Sequence, residues 1–146
     1  MREIKFKAWD DENKKMYSPE ELEQQGLSEM ERTIYGYLSF GVVLIYDFKN
    51  PEDPIELVPL QSTGWFDNSQ NEIYEGDIVE SENGTYQIMW SEEIAGFILI
   101  GNDGSIAMGG PYMSETFKLK GNIYQNPELL DFDVKWWDEY DVRIKR

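Results

Sequence analysis

The stretch Leu60–Val79, L-Q-S-T-G-W-F-D-N-S-Q-N-E-I-Y-E-G-D-I-V, decides how the chain is read. Thr63-Gly64 ends one extended run, and Asp67 to Asn71 forms a polar, variable loop. Glu75-Gly76-Asp77 is a tight turn in which Gly76 suits φ > 0 and Asp77 suits local backbone amides. Ile78-Val79 then opens a new apolar run. The stretch marks the entry into a region of short strands.

Downstream, apolar runs alternate with glycine and asparagine turns. Asp77 to Glu80 is a strand, Asn83-Gly84 a hairpin turn, and Tyr86 to Trp90 the return strand, with Tyr86, Ile88 and Trp90 on one face. Gly96 to Ile100 is almost wholly apolar, as a buried strand would be. Gly101 to Gly104 turns into Ser105–Met108, Gly109-Gly110-Pro111 breaks the chain, and Thr116 to Lys120 alternates again. Asn126-Pro127 reads as the capped start of a second helix. In the tail, Tyr140, Val142 and Ile144 alternate with charged residues, which favours a strand, and Trp136-Trp137 places one indole on each face. Short strands with such turns make a small antiparallel barrel or sandwich.

Upstream, Arg2 to Trp9 alternates, and Lys15-Met16-Tyr17 returns after a polar turn at Asp10 to Asn13. Ser18-Pro19-Glu20-Glu21 is a helix start with a capping box, and Gly26 suits the position after its end. From Thr33 the pattern is β again, with Gly36 expected as a bulge and Gly41 as a turn. Asp47 to Pro54 is the strongest loop, where two prolines flank two acids. It separates an expected N-terminal lobe, residues 1–56, from a C-terminal domain, residues 57–146.

The 146 residues carry 13 Lys+Arg against 29 Asp+Glu, a net charge of −16, and no cysteine or histidine. Affinity for nucleic acid comes from neutralising phosphates, so direct binding is disfavoured. An acidic surface that imitates a nucleic-acid backbone, and so occupies a DNA- or RNA-binding protein, is an alternative. No apolar run is long enough to cross a bilayer as a helix, and no leader pattern opens the chain. We expect a soluble, cytoplasmic protein.

The missing histidine and cysteine remove Ser-His and Cys-His pairs, histidine general bases and the usual zinc sites. Asp67-Asn68-Ser69-Gln70-Asn71 begins like a calcium loop. It fails at Glu72, where the turn needs glycine, and at Ile78, where a bidentate Glu belongs. Glu75 and Asp77, with Glu72 or Asp67, are the remaining candidates for a carboxylate-based metal enzyme. Exposed Trp65, Trp90 or Tyr74 could serve a single-strand-binding small barrel as stacking platforms, if Lys5, Lys7, Lys118, Lys120, Arg143 and Lys145 gather into one stripe.

Three stretches together resemble the YopX protein family of phages and prophages of low-GC Gram-positive bacteria. They are Arg2 to Asp10 with Met16; Gln61-x-Thr63-Gly64 followed by Glu72 to Val79; and Gly121 to Leu130. The resemblance implies a C-terminal SH3-like β-barrel, a less regular N-terminal part and a phage or prophage origin. It implies no activity and no catalytic residue. Thr63, Gly64, Tyr74, Glu75, Gly76, Asp77, Gly121, Asn122, Tyr124, Asn126 and Pro127 match its motifs and read as structural.

We therefore expect a mainly β protein with short helices, and a phage accessory protein that is not an enzyme. It would need no cofactor and would work through protein–protein contact, with a homo-oligomer possible. Trp65, Trp90, Trp136 and Trp137 are the candidate partner surface.

Overall fold

A computed structural model describes residues 3–27 and 31–130. The chain is mainly β, in two antiparallel sheets, and divides into two compact units, Met1–Gln61 and Ser62–Arg146. The division lies a few residues beyond the expected 56/57 boundary, because the extended run after the proline loop is a single long strand.

In the first unit, β1 (Phe6–Asp10) pairs with β2 (Lys15–Tyr17), Ala8 opposite Tyr17. The buried Asp10 carboxylate makes the turn by accepting from the Glu12 and Asn13 amides and the Asn13 side chain. Helix α1 (Pro19–Gln24) begins with the expected capping box: Ser18 Oγ accepts from Glu21 N, and the Glu21 carboxylate accepts from Ser18 N. Gly26 follows at φ 80°. Strands β3 (Ile34–Ser39) and β4 (Val42–Asp47) form an unbroken hairpin, Ile34 opposite Asp47 and Ser39 opposite Val42. Gly36 is therefore no bulge, and every rung around it is in register. The chain then passes the proline loop into β5 (Ile55–Phe66).

The order within this unit is β2-β1-β5-β4-β3. Its core is Ala8, Ile34, Ile45 and Leu57, with Phe6, Tyr17, Leu22, Val43 and Ile55 packed against it. Pro59 is tolerated inside β5 because β4 pairs only with Ile55 to Leu57. At Pro59 the strand is paired with β1 alone.

In the second unit, the end of β5 pairs with β6 (Glu72–Tyr74). The register shifts between Ser62 and Phe66, around Gly64 at φ 80°. Thr63-Gly64 is thus an irregularity within one strand, and the extended run does not end there. A meander follows: β7 (Asp77–Ser81), β8 (Gly84–Ser91), β9 (Gly96–Gly101) and β10 (Ile106–Met108). A short helix α2 (Met113–Thr116), which no cap signature announces, leads to β11 (Lys118–Asn122), which returns beside β7. The order is β10-β9-β8-β7-β11. Among the described residues no ladder joins β10 to β11, so the expected closed barrel is an open sheet.

One face of this sheet carries Val79, Ile88 and Leu99, packed with Ile73, Met113 and Phe117. The opposite face of β8 and β9 is also buried, at Met89, Ile98 and Ile100. Gln87 lies on that second face, fully buried, and among the described residues neither end of its amide finds a hydrogen-bond partner. Pro127–Leu129 forms a 3-10 turn and no longer helix follows it among the described residues. The expected tail strand, with Trp136 and Trp137, lies outside the described residues.

Candidate functional site

The motif residues meet in the second unit. Gly76, at φ 85°, donates to Ile88 O and accepts from Ile123 N, both at 2.9 Å. Buried Asp77 accepts from Tyr74 N at 2.7 Å, closing the Glu75-Gly76 turn, and sits opposite Asn122 across β7 and β11. The two stretches Tyr74–Asp77 and Gly121–Pro127 therefore form one knot. Ala at Gly76 would force an L side chain into left-handed backbone, at a cost of about 1–2 kcal/mol. We expect Gly76→Ala to lower the denaturant midpoint by that amount with an unchanged slope. An unshifted midpoint would show that the turn relaxes freely.

The Gly121 side of the knot is equally constrained. Asn122 Oδ1 accepts from Tyr124 N and Gln125 N, and its amide donates to Gln125 Oε1. Asn126 turns its side chain back, so that its Oδ1 accepts from Asn122 N. It makes no side-chain cap to the 3-10 turn, contrary to the capping role expected for it; Pro127 does occupy the first position of that turn. Thr63 Oγ1 donates to Ile73 O and accepts from Trp65 N, and Gly64 N donates to Ser62 Oγ.

Asp67 is the residue whose importance the loop reading missed. It is fully buried. Its carboxylate accepts from Ser69 N, Asn71 N and the Asn71 amide, and from Leu119 N at 2.9 Å, 52 residues away. Burial alone would raise its pKa. The donors from Leu119, Asn71 and Ser69 outweigh that and hold it below the ordinary carboxylate value. The loop is thus an anchor between β5 and β11. The signal available was an Asp followed four residues later by Asn, a pair able to close a local turn.

The candidate metal carboxylates do not converge. Glu72 accepts from Ser62 Oγ, Asp77 from Tyr74 N, and Asp67 from its own loop and Leu119. Among the described residues no three acidic side chains gather in a manner that could hold a metal ion.

Two aromatic rows border the main core of this unit. Trp65 and Trp90 both meet Phe97 edge to face, at 6.3 and 5.1 Å, and Trp90 faces Phe97 directly across β8 and β9. Tyr86 and Tyr112 likewise flank Phe117, at 5.7 and 6.2 Å. Trp65, Tyr86, Trp90 and Phe97 are half-buried and Tyr112 is exposed. The Trp65 ring lies on Gly109, where a Cβ would clash with three ring carbons. Lys118 and Lys120 are exposed on β11, Lys120 at the point where its register with β7 shifts. The other residues of the expected basic stripe lie in the first unit or outside the described residues.

The family model described as YopX protein matches residues 5–131. The chain belongs to the YopX protein family. The crystal structure of protein EF1440 from Enterococcus faecalis is similar to it in fold, at 24% identity and a TM-score of 0.60, over 89% of this chain and 99% of that one. No curated protein matches the chain. Within this YopX family member, the matched motifs fall on the Gly76–Asn122 knot, on β1 and on the β5–β6 pair. Among the described residues no helix is long and apolar enough to cross a membrane.

Proposed function

We propose that the protein is a non-enzymatic phage or prophage accessory module, acting in the bacterial cytoplasm through protein–protein contact. The aromatic rim of its second unit is the docking surface. The observation that carries this reading is the row Trp65–Phe97–Trp90, which stands in mutual edge contact with part of each ring left in solvent. Rigid, amphipathic rings of this kind are what partners bury at interface centres. The absence of histidine and cysteine and the engagement of Asp67 and Asp77 by backbone amides support a role without catalysis. Family membership supports the phage context. The strand order, a four-strand meander with β11 returning beside β7, supports an SH3-like platform open between β10 and β11.

The test is capture from host lysate with the full chain and with Trp90→Ala. A stoichiometric partner should bind the parent at least roughly tenfold better than the variant, with matching far-UV circular dichroism. Equal capture by both, or no stoichiometric partner for the parent, counts against the rim.

A second reading follows from the net charge of −16. The partner is then a basic, nucleic-acid-binding protein, and the complex weakens steeply as salt rises. A complex indifferent to salt removes this version.

A further inference from the structure

The β3–β4 hairpin of the first unit carries an unused sheet edge. β3 ends the strand order, paired on one side only. At Ile34 its outer side is already occupied: the Gln25 side-chain amide donates to Ile34 O at 2.8 Å and accepts from Ile34 N at 3.0 Å, as a neighbouring strand would. Outward-facing residues alternate in an antiparallel strand. Gly36 and Leu38 therefore turn both backbone groups outward as Ile34 does, and nothing among the described residues takes them. The edge has none of the usual guards, neither Lys, Pro nor bulge.

The residues of the hairpin around this edge are odd for a solvent face. Tyr35, Tyr37, Leu38, Phe40 and Val42 are between 42% and 106% exposed. Phe40 holds φ 42° in the two-residue turn with Gly41, a place that favours Asn or Gly, and its ring is fully in solvent. Gly36 has no internal reason to be glycine: its φ is not positive, and a Cβ there would meet only Ile45 Cγ1, at 4.0 Å. Glycine inside a strand weakens it unless something approaches closely.

We propose that this edge pairs with β3 of a second copy, antiparallel about a two-fold axis through Tyr37. In that register Gly36 stands opposite Leu38 of the other copy, and each such pair exchanges two N–H···O bonds. Directly opposed side chains share a face, so the exposed Leu38 of each copy covers the bare Gly36 of the other. That reciprocity selects a second copy over a foreign strand. Charge agrees. Thr33 to Tyr46 has no charged residue, the longest such interval in a chain of net charge −16, so the seam brings no carboxylates together. Area agrees as well. With whole aromatic side chains of about 150–250 Å², the five residues expose on the order of 600 Å² per copy. A pair that buried all of it would remove roughly 1,200 Å², an upper bound at the lower end of stable interfaces, because Val42 stands on β4 behind the seam. This association is independent of the aromatic rim.

The chain has no cysteine, so single cysteines report the register cleanly. Opposed non-hydrogen-bonded residues lie about 4.5 Å apart at Cα, within disulfide range. Under mild oxidation Tyr37→Cys should lock as a covalent dimer. Tyr35→Cys should not, since its copies stand about 13 Å apart along the strands. Sedimentation of the full chain should show a dimer that tightens as salt screens the shared negative charge. Leu38→Lys should weaken it at least roughly tenfold while leaving circular dichroism unchanged. A parent monomeric at about 100 μM, a dimer indifferent to Leu38→Lys, or equal locking at 35 and 37 overturns the proposal. So does a monomer that instead takes an extended peptide from another protein along β3.

Discussion

Asp67→Ala is expected to destabilise the protein by about 3–5 kcal/mol, read as the shift in denaturant midpoint at constant slope. The carboxylate holds donors from Ser69, Asn71 and Leu119, and alanine would leave all three amides without their acceptor. The loss falls on the link between the Asp67 loop and β11, so amide exchange at Leu119 should rise most. Asp67→Asn preserves the shape but turns an NH₂ toward a backbone N–H that needs an acceptor. It should recover less than half of the loss. A shift below about 1 kcal/mol for alanine would mean that water replaces the carboxylate without penalty, and the anchor role would be lost.

The same pair of variants gives a pH test. In the unfolded chain Asp67 titrates near 4, and in the fold below that. Its contribution is therefore complete above the unfolded value and is lost as pH falls through the folded one. The stability gap between the parent and Asp67→Asn should be constant from pH 6 to 8 and shrink in acid. A gap that widens on acidification contradicts the assignment.

Gly121→Ala is expected to be the second largest loss, about 2–3 kcal/mol. A Cβ there would stand 2.7 Å from Asn126 Cγ and nearer still to Oδ1, the atom that accepts from Asn122 N. The Asn126 amide must leave, and Asn122 N loses its acceptor. Asn126→Ala alone should cost about 1–2 kcal/mol through the same hydrogen bond. In the double variant the Oδ1 and Cγ contacts are gone and only the one to Asn126 Cβ, at 3.1 Å, remains, so the two costs should fall short of additivity by at least ~1 kcal/mol. Strict additivity would place the strain of Gly121→Ala elsewhere in the bulged β7–β11 pairing.

What was legible in the sequence has a local cause. Ser18-Pro19-Glu20-Glu21 carries its whole capping box in four residues, and Asn83-Gly84 carries its hairpin in two. Period-two alternation located β1, β8 and β11 for the same reason. Distant partners were out of reach. The Asp67 loop looks variable until Leu119 is beside it. Whether the meander closes depends on β10 and β11, which no neighbouring residue specifies. Gly36 suggests a bulge until the unbroken register with β4 is seen. Helix α2 has four residues and Tyr112 makes no side-chain cap, so nothing nearby announces it. Of the candidate surface, Trp65 and Trp90 were legible as aromatics. Their shared neighbour Phe97 was not, because the row forms across strands.

The strand order of the first unit has a bearing on how the chain is made. β5 lies in the middle of that sheet, between β1 and β4, yet it is the last of its strands to be synthesised. The hairpins β1–β2 and β3–β4 can each form within microseconds on the ribosome. Neither has the central partner it needs until residues up to Gln61 have emerged, so nascent chains carry two open sheet edges and the uncovered Ala8, Ile34 and Ile45 surface for that interval. Insertion of a final strand between two waiting hairpins closes the sheet in one step. Fragments ending in the proline loop would be held in the unfinished state, prone to stick to one another, and should not be expressed as a stand-alone lobe.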